Sequence, residues 1–462
     1  MNGNVLKFSY VWFVASILVA LMVDGIAFLS HAFLVICVSL SYLICIFSWI
    51  KCGSRALSLY SFFLAYSFLC NCAQPLLYIF NVPVEFLNTY GILSLEEVSY
   101  SLRFQFVCIA ALNLGNSLAL QKKKYCMSTK EMELWYKSVD NSPTKNDKLL
   151  YKLMLVLLLG TLYATYDLAK VRGSMTYQEW SYGGSDNVQN HFYFSYFFCF
   201  LSLRSVLRKQ HVLFIYICWL FFVVLFMMLG LRSTAIPYLS LFLIVLPLTN
   251  GNFFRKKYIP VWLLGGFFSI ILMGIISAGR YQERVDLSTV DTSQGVRFMF
   301  YSAMSDVGSP GKTLGMTMKM CDNGVPKYQS ILYSVVTVIP HRVFKIPFPE
   351  NEPLSSPGAY LSNVAGMEGY GFSFLSEAYY NLGWFGWLFI LLYGFLIARM
   401  ENMAYYDVMR KGNFFKLTFL LYLTKQIFFA RGDFCLAEAY IEYMVFTAII
   451  YKLFLPKQKL FS

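Results

Sequence analysis

Two stretches of this sequence set charged residues in apolar surroundings, where they could do chemistry. LGLRSTAIPY (229–238) carries Arg232 between IYICWLFFVVLFMM and LSLFLIVLP. GYGFSFLSEAYYNLGWFGWLFILLYG (369–394) carries Glu377, with Asn381 at i+4 and therefore on the same helical face. More arginines follow the same pattern of isolation. SAGRYQERVD (277–286) places Arg280 and Arg284 four apart, VIPHRVFKIPFP (338–349) sets His341 beside Arg342 after a proline, and Arg431 opens the tripeptide RGD (431–433). A guanidinium stays charged at any relevant pH, and its planar fork fits phosphate oxygens. A carboxylate such as Glu377 can pair with an arginine or take a proton from a hydroxyl, and His341 can do the latter. Each residue also has a plainer reading. Arg232 can snorkel to a headgroup layer. Glu283 and Asp286 can partly neutralise Arg280 and Arg284. Glu377 can serve only the helix dipole, and His341 can be a surface residue. RGD at this place is a chance tripeptide, not an adhesion motif.

The elements that position these residues are membrane spans. Of 462 residues, 58% are hydrophobic and only 14% charged, against about 25% charged in a soluble domain. Apolar runs of about 20 residues, the length that crosses a bilayer as a helix, recur along the whole chain. They predict about twelve spans, near 8–28, 30–50, 56–80, 102–121, 149–168, 191–206, 211–230, 233–249, 258–278, 374–397, 413–430 and 436–455. The chain therefore reads as an all-α polytopic membrane protein. The net charge of +13 does not signal nucleic acid. Its Lys and Arg lie in short loops between apolar runs, where they set topology, and no soluble basic domain is present to bind a polyanion. The eleven cysteines lie mostly inside apolar runs, without metal-ligand spacing, so neither a disulfide framework nor a metal site is expected.

Placing both termini inside puts KCGSR (51–55), QKKKY (121–125), RSVLRKQ (204–210), RKK (255–257), MRK (409–411) and KQK (457–459) on the inner face. The opposite loops, such as 81–100, are neutral or acidic, which is the positive-inside bias. Three regions follow. Residues 1–278 hold nine spans with short loops. Residues 279–373 form a large outer loop with partly helical segments, including an interfacial stretch YQSILYSVVTVIP (328–340). Residues 374–462 hold three spans and an inner tail. A structureless loop of about 95 residues is uncommon unless it has a function. The polar stretch 130–148 reads as a solvated inner linker. This orientation places Arg232, Arg280, Arg284, Arg342 and Arg431 on the outer face. Ser233 and Thr234 are placed to cap the following span, and a cation beside a helix N-terminus makes an anion site. Arginines gathered on one membrane face suggest a site for a phosphate-bearing lipid.

The layout of twelve spans with one large outer loop, the G-x-R opening a span (Gly230, Arg232) and the pattern G-x-x-x-x-S-E-x-Y-x-N-x-G-x-x-G from Gly371 to Gly386 resemble the bacterial O-antigen polymerases of the Wzy type. The resemblance covers nearly the whole chain. It implies a membrane-embedded bundle of the GT-C glycosyltransferase kind with a large periplasmic loop, in the bacterial inner membrane. It implies transfer of a growing glycan from undecaprenyl pyrophosphate to a new lipid-linked repeat unit at the periplasmic face, without nucleotide sugar, cofactor or metal. Arg232, Arg280, Arg284, Arg342 and Arg431 would then bind the leaving pyrophosphate, and Glu377 or His341 would activate the acceptor hydroxyl. Tyr360, Tyr370, Tyr379 and Tyr380 would stack on sugars or line the interface. The expected partners are lipid-linked donor and acceptor glycans, membrane lipids and a protein that regulates chain length. Two alternatives stay open on these residues: an O-antigen ligase, and a flippase or transporter of the lipid-linked unit. A flippase usually keeps charge within its bundle, whereas Lys425 is the clearest mid-span charge here.

Overall fold

In the computed structural model the described residues are 2–22, 27–55, 58–121, 129–139, 142, 145–174, 186–229, 232–249, 295–334, 352–366 and 372–454, and their regular structure is entirely helical. The longer helices are α1 (Asn2–Met22), α2 (Ala27–Lys51), α3 (Leu59–Ile79), short α4 (Asn88–Ile92), α5 (Leu95–Ala119), α6 (Thr129–Ser138) and α7 (Lys145–Ser174). Then follow α8 (Asp186–Leu207), α9 (Val212–Met228), α10 (Arg232–Thr249), α11 (Gly295–Val307), α12 (Gly311–Asp322), α13 (Glu352–Ser355) and α14 (Pro357–Ala365). The last four are α15 (Phe374–Leu382), α16 (Gly386–Lys411), α17 (Leu417–Gln426) and α18 (Phe434–Phe454). Helical residues lie in every predicted span among the described residues, but 374–397 is broken at Gly383 and 413–430 holds only the ten-residue α17 between 3-10 turns; 258–278 lies outside the described residues. Among the described residues, Gly3–Met22, Ser30–Lys51, Leu59–Ile79, Asn146–Lys170 and Phe374–Lys411 are long and apolar enough to cross a membrane. Their outward faces fit lipid rather than water. On α7, Val156, Leu159, Tyr163 and Tyr166 are 64–74% exposed, an apolar stripe that a water-soluble surface would hide.

The chain divides into two compact units. The first comprises residues 1–127, 304–403 and 426–442. Here α5 packs along α1 and α2, and its sequence shows why it can sit at the centre. A capping box of Ser94 and Glu97 starts it, and nearly every residue from Val98 to Ser117 is buried. Close approach to α16 needs glycine on both sides. A Cβ on Gly394 would lie 2.5 Å from the Leu112 carbonyl oxygen, and one on Gly115 would strike the carbonyl of Leu391. Gly394→Val is therefore expected to destabilise this unit by about 1–3 kcal/mol, the usual cost of overpacking. The check is a lower unfolding midpoint in detergent, with Gly394→Ala less affected.

At one end of this unit, Glu401 of α16 closes a buried ion pair. Arg55 Nη2 donates to Glu401 Oε1 at 2.7 Å. The backbone amides of Leu59 and Tyr60, in the first turn of α3, donate to the same carboxylate at 3.2 and 3.0 Å. The carboxylate thus caps a helix start from another helix, where the dipole favours it. Elsewhere Gln74 of α3 ties α11 to α4, donating to Ser305 O at 2.9 Å and accepting from Thr89 N at 2.8 Å.

The second unit comprises residues 128–303, 404–425 and 443–462. Its α7 and α8 pack along each other, as do α9 and α10. The expected linker at 130–148 instead folds into α6 and the start of α7. Its Asp147 is buried, accepting from Arg204 Nη2 at 2.8 Å and from Arg208 Nη2 at 3.3 Å. Charge here is satisfied by burial in a triad, which a polar run without periodicity does not reveal. The buried Lys425 also belongs to this unit.

Candidate functional site

The motif around Glu377 has a local structural cause. Ser373 is the N-cap of α15, its side chain accepting from Ser376 N at 3.2 Å. Gly383 ends the helix with φ +58°, a left-handed conformation that glycine adopts without strain. A 3-10 turn (Gly383–Phe385) follows before α16 begins. Residues 374–381 are all buried. This short helix therefore acts as a plug of fixed register, and it holds Glu377 and Asn381 on one face.

Both oxygens of Glu377 are engaged. Ser330 Oγ donates to Oε1 at 2.7 Å, and the backbone N–H of Phe434 donates to Oε2. Asn381 completes the set. Its Nδ2 donates to Ser330 Oγ at 2.8 Å and to the Glu377 carbonyl at 2.8 Å, and its Oδ1 accepts from Ile331 N at 3.0 Å. Glu377 is fully buried, 0% exposed, so its carboxyl faces protein donors rather than open space. What it does is dock two distant segments onto α15: the chain at 330–331 and the turn at 431–434. Asp433 in that turn is a second carboxyl close enough to repel it.

Arg431 ends the 3-10 helix Ile427–Arg431 and is partly exposed. Its charge acts on Cys70 of α3 and on Lys312 of α12. The 3-10 helix packs on α3 and on α15. Ser376 Oγ and Thr313 Oγ1 share a hydrogen bond of 2.9 Å, which ties the start of α12 to α15 beside Glu377. The first unit thus concentrates Glu377, Asp433, Arg431 and Lys312 where α3, α12, α15 and the 431–434 turn meet.

Of the residues expected to form the site, the structure brings Glu377 together with the turn that carries Arg431. Arg232 is the first residue of α10, in the second unit. Ser233 and Thr234 consequently lie inside its first turn rather than at the N-cap. His341, Arg342, Arg280 and Arg284 lie outside the described residues, as does Tyr370. Tyr379 and Tyr380 are buried, 1% and 0% exposed, with their hydroxyls donating to Asp322 Oδ1 at 3.0 Å and Pro353 O at 3.1 Å. Their rings are not open to a sugar. Tyr360 is partly exposed and packs edge-on against Tyr328 at 5.9 Å. Sequence reasoning missed Ser330, Asp433, Lys312 and Thr313. Asp433 closes the RGD tripeptide, and only the fold brings it near Glu377. Ser330 is 47 residues from its partner, beyond any spacing rule.

Described residues that are helical throughout their regular structure, with lipid-fitting faces, and a buried carboxyl that docks the Arg431 turn define a multi-pass membrane protein with a buried polar cluster. The family model for O-antigen polysaccharide polymerase Wzy matches residues 8–459, and the chain belongs to this family. It is thus an O-antigen polymerase, a glycosyltransferase that acts on lipid-linked oligosaccharide repeat units in the membrane. This decides for polymerisation over the ligase and transporter alternatives. No curated protein and no solved structure matches the chain.

Proposed function

We propose that polymerisation takes place on the outer, periplasmic side of the bacterial inner membrane, with undecaprenyl pyrophosphate as the leaving group. In this reading the chain has about twelve spans in a bundle of the GT-C kind, both termini are cytoplasmic, and residues 279–373 form the periplasmic loop. A chain-length regulator acts as a protein partner. The observation that carries the reading is the docking of the Arg431 turn and the 330–331 segment on one buried carboxyl, Glu377. Arg431 lies in that turn, and the 330–331 segment leads on in sequence to His341 and Arg342. Arg232, Arg280, Arg284, Arg342 and Arg431 neutralise charge that develops on the pyrophosphate as the glycosidic bond to it breaks. His341 accepts the proton of the acceptor hydroxyl. Glu377, enclosed on all sides, positions Arg431 rather than touching sugar.

The test is a lipopolysaccharide gel. A host strain lacking this chain is expected to make core bearing one repeat unit and no ladder, and the full-length chain to restore the ladder. Arg431→Ala and His341→Ala are expected to restore little or none. A full ladder from charge-neutral variants at Arg232, Arg280, Arg284, Arg342 and Arg431 would dismiss the arginine roles.

A further inference from the structure

Lys312 stands out among the charged groups of the first unit. It lies in the first turn of α12, and its side chain is half-buried. Its backbone is drawn close to α3: a Cβ on the preceding Gly311 would lie 3.1 Å from the Asn71 carbonyl oxygen and 3.4 Å from that of Cys70. The following residue, Thr313, is tied to Ser376 and so to the Glu377 helix. The charges of Arg431 and of Asp306 both act on Cys70. Among the described residues, Lys312 has no carboxylate partner, whereas Lys319, two turns further along the same helix, pairs with Glu97 at 2.8 Å. Its charged neighbour is Arg431.

Burial, and after it the Arg431 charge, hold the Lys312 ammonium below the usual lysine range. Folding that sets one cation beside another and leaves one of them without a counterion costs free energy. Such an arrangement becomes favourable when an anion sits between the two, because hydrogen bonds between charged partners are the strong ones. Lysine binds phosphate as a point charge and arginine as a fork, so the pair suits an anion with several oxygens.

We propose that Lys312 and Arg431 form a subsite for the pyrophosphate group of a lipid-linked substrate, at the place where the start of α12, α3 and the Arg431 turn converge. The proposal rests on the assignment of the Arg431 region to substrate binding. Lys312 is then a binding residue whose ammonium contacts a phosphate oxygen.

The experiment uses the full-length chain in nanodiscs of zwitterionic lipid, with farnesyl pyrophosphate as the probe. Lys312→Met is expected to weaken its binding about tenfold, the loss of about 1.4 kcal/mol, while Lys312→Arg stays close to wild type. Without probe, Lys312→Met is expected to leave the unfolding midpoint unchanged or raise it, because a repelled charge has been removed. A fall in the midpoint would mark Lys312 as structural and overturn the proposal. So would unchanged binding in Lys312→Met. Nanodiscs containing phosphatidylglycerol separate the two sources of phosphate. If Lys312→Met alters only the response to that lipid, the site belongs to bilayer headgroups, and the proposal is overturned. Ladder formation is read in parallel. If Arg431 and Glu377 variants polymerise normally while Lys312→Met loses probe binding, the assignment of the Arg431 region to catalysis fails and the subsite stands.

Discussion

Glu377→Ala is expected to lower polymer formation about a hundredfold, while Glu377→Gln retains most of it. The difference follows from the donors around the carboxyl. Alanine leaves Ser330 Oγ–H and Phe434 N–H buried without their acceptor, at about 1–3 kcal/mol for each. The 431–434 turn then loses its anchor, and Arg431 with it. Each 1.4 kcal/mol lost where the turn must be docked is about a factor of ten in rate. Glutamine is nearly the same shape. Its Oε1 can still accept from Phe434 N–H, and its amide can donate to Ser330 Oγ, since a hydroxyl is both donor and acceptor. The measurement is initial rate against concentration of lipid-linked repeat unit. A positioning role predicts that Glu377→Ala lowers kcat at least as much as it raises KM, because Arg431 acts on charge that develops in the transition state, while Glu377→Gln leaves both near wild type. If Glu377→Gln is as inactive as Glu377→Ala, and the loss is in kcat, then Glu377 is itself the proton acceptor and His341 is relieved of that role.

The second large effect is on stability. Arg55→Met is expected to destabilise the first unit by about 3–5 kcal/mol, because it leaves a buried carboxylate without its counter-charge. Both side chains of the pair are enclosed, at 2% and 0% exposure. A loss of that size is a large share of the about 5–15 kcal/mol that keeps a typical domain folded. Low yield of detergent-soluble protein and a lower unfolding midpoint are the expected readouts. The double variant Arg55→Met/Glu401→Gln should recover much of the loss. It removes the orphaned charge and keeps an acceptor for the Leu59 and Tyr60 amides. An Arg55→Met single variant as stable as wild type would mean that water reaches Glu401.

The helices were legible in the sequence because hydropathy alone demands them. Backbone polar groups in hydrocarbon must be satisfied within the segment, so a run such as 211–230 has one solution. Details that depend on partners were not legible. The stretch 130–148 looked like a linker because the two arginines that bury Asp147 are 57 and 61 residues away. At the candidate site, Glu377 and Asn381 were visible because four-residue spacing on a helix is local. Ser330, the hydroxyl that joins them, was not, since the tertiary fold alone brings it there. Tyr379 and Tyr380 illustrate the reverse error. Aromatic residues near a membrane surface suggest sugar platforms, but these two are core residues whose hydroxyls satisfy Asp322 and the Pro353 carbonyl.

The break at Gly383 also bears on the work needed to bring a lipid-anchored substrate to the site. From Leu382 to Ala398 no side chain is charged, and this stretch spans about 25 Å as helix, close to the about 30 Å of a bilayer's hydrocarbon. In the proposed arrangement, with this stretch as the part of the span inside the hydrocarbon, Glu377 lies five residues before it and would stand at most about 8 Å beyond the oil, at the height of lipid phosphates. A pyrophosphate attached to an isoprenoid already floats at that height. A substrate held there as proposed would keep its tail immersed throughout transfer, sparing the enzyme the extraction of methylenes, each worth about 0.8 kcal/mol.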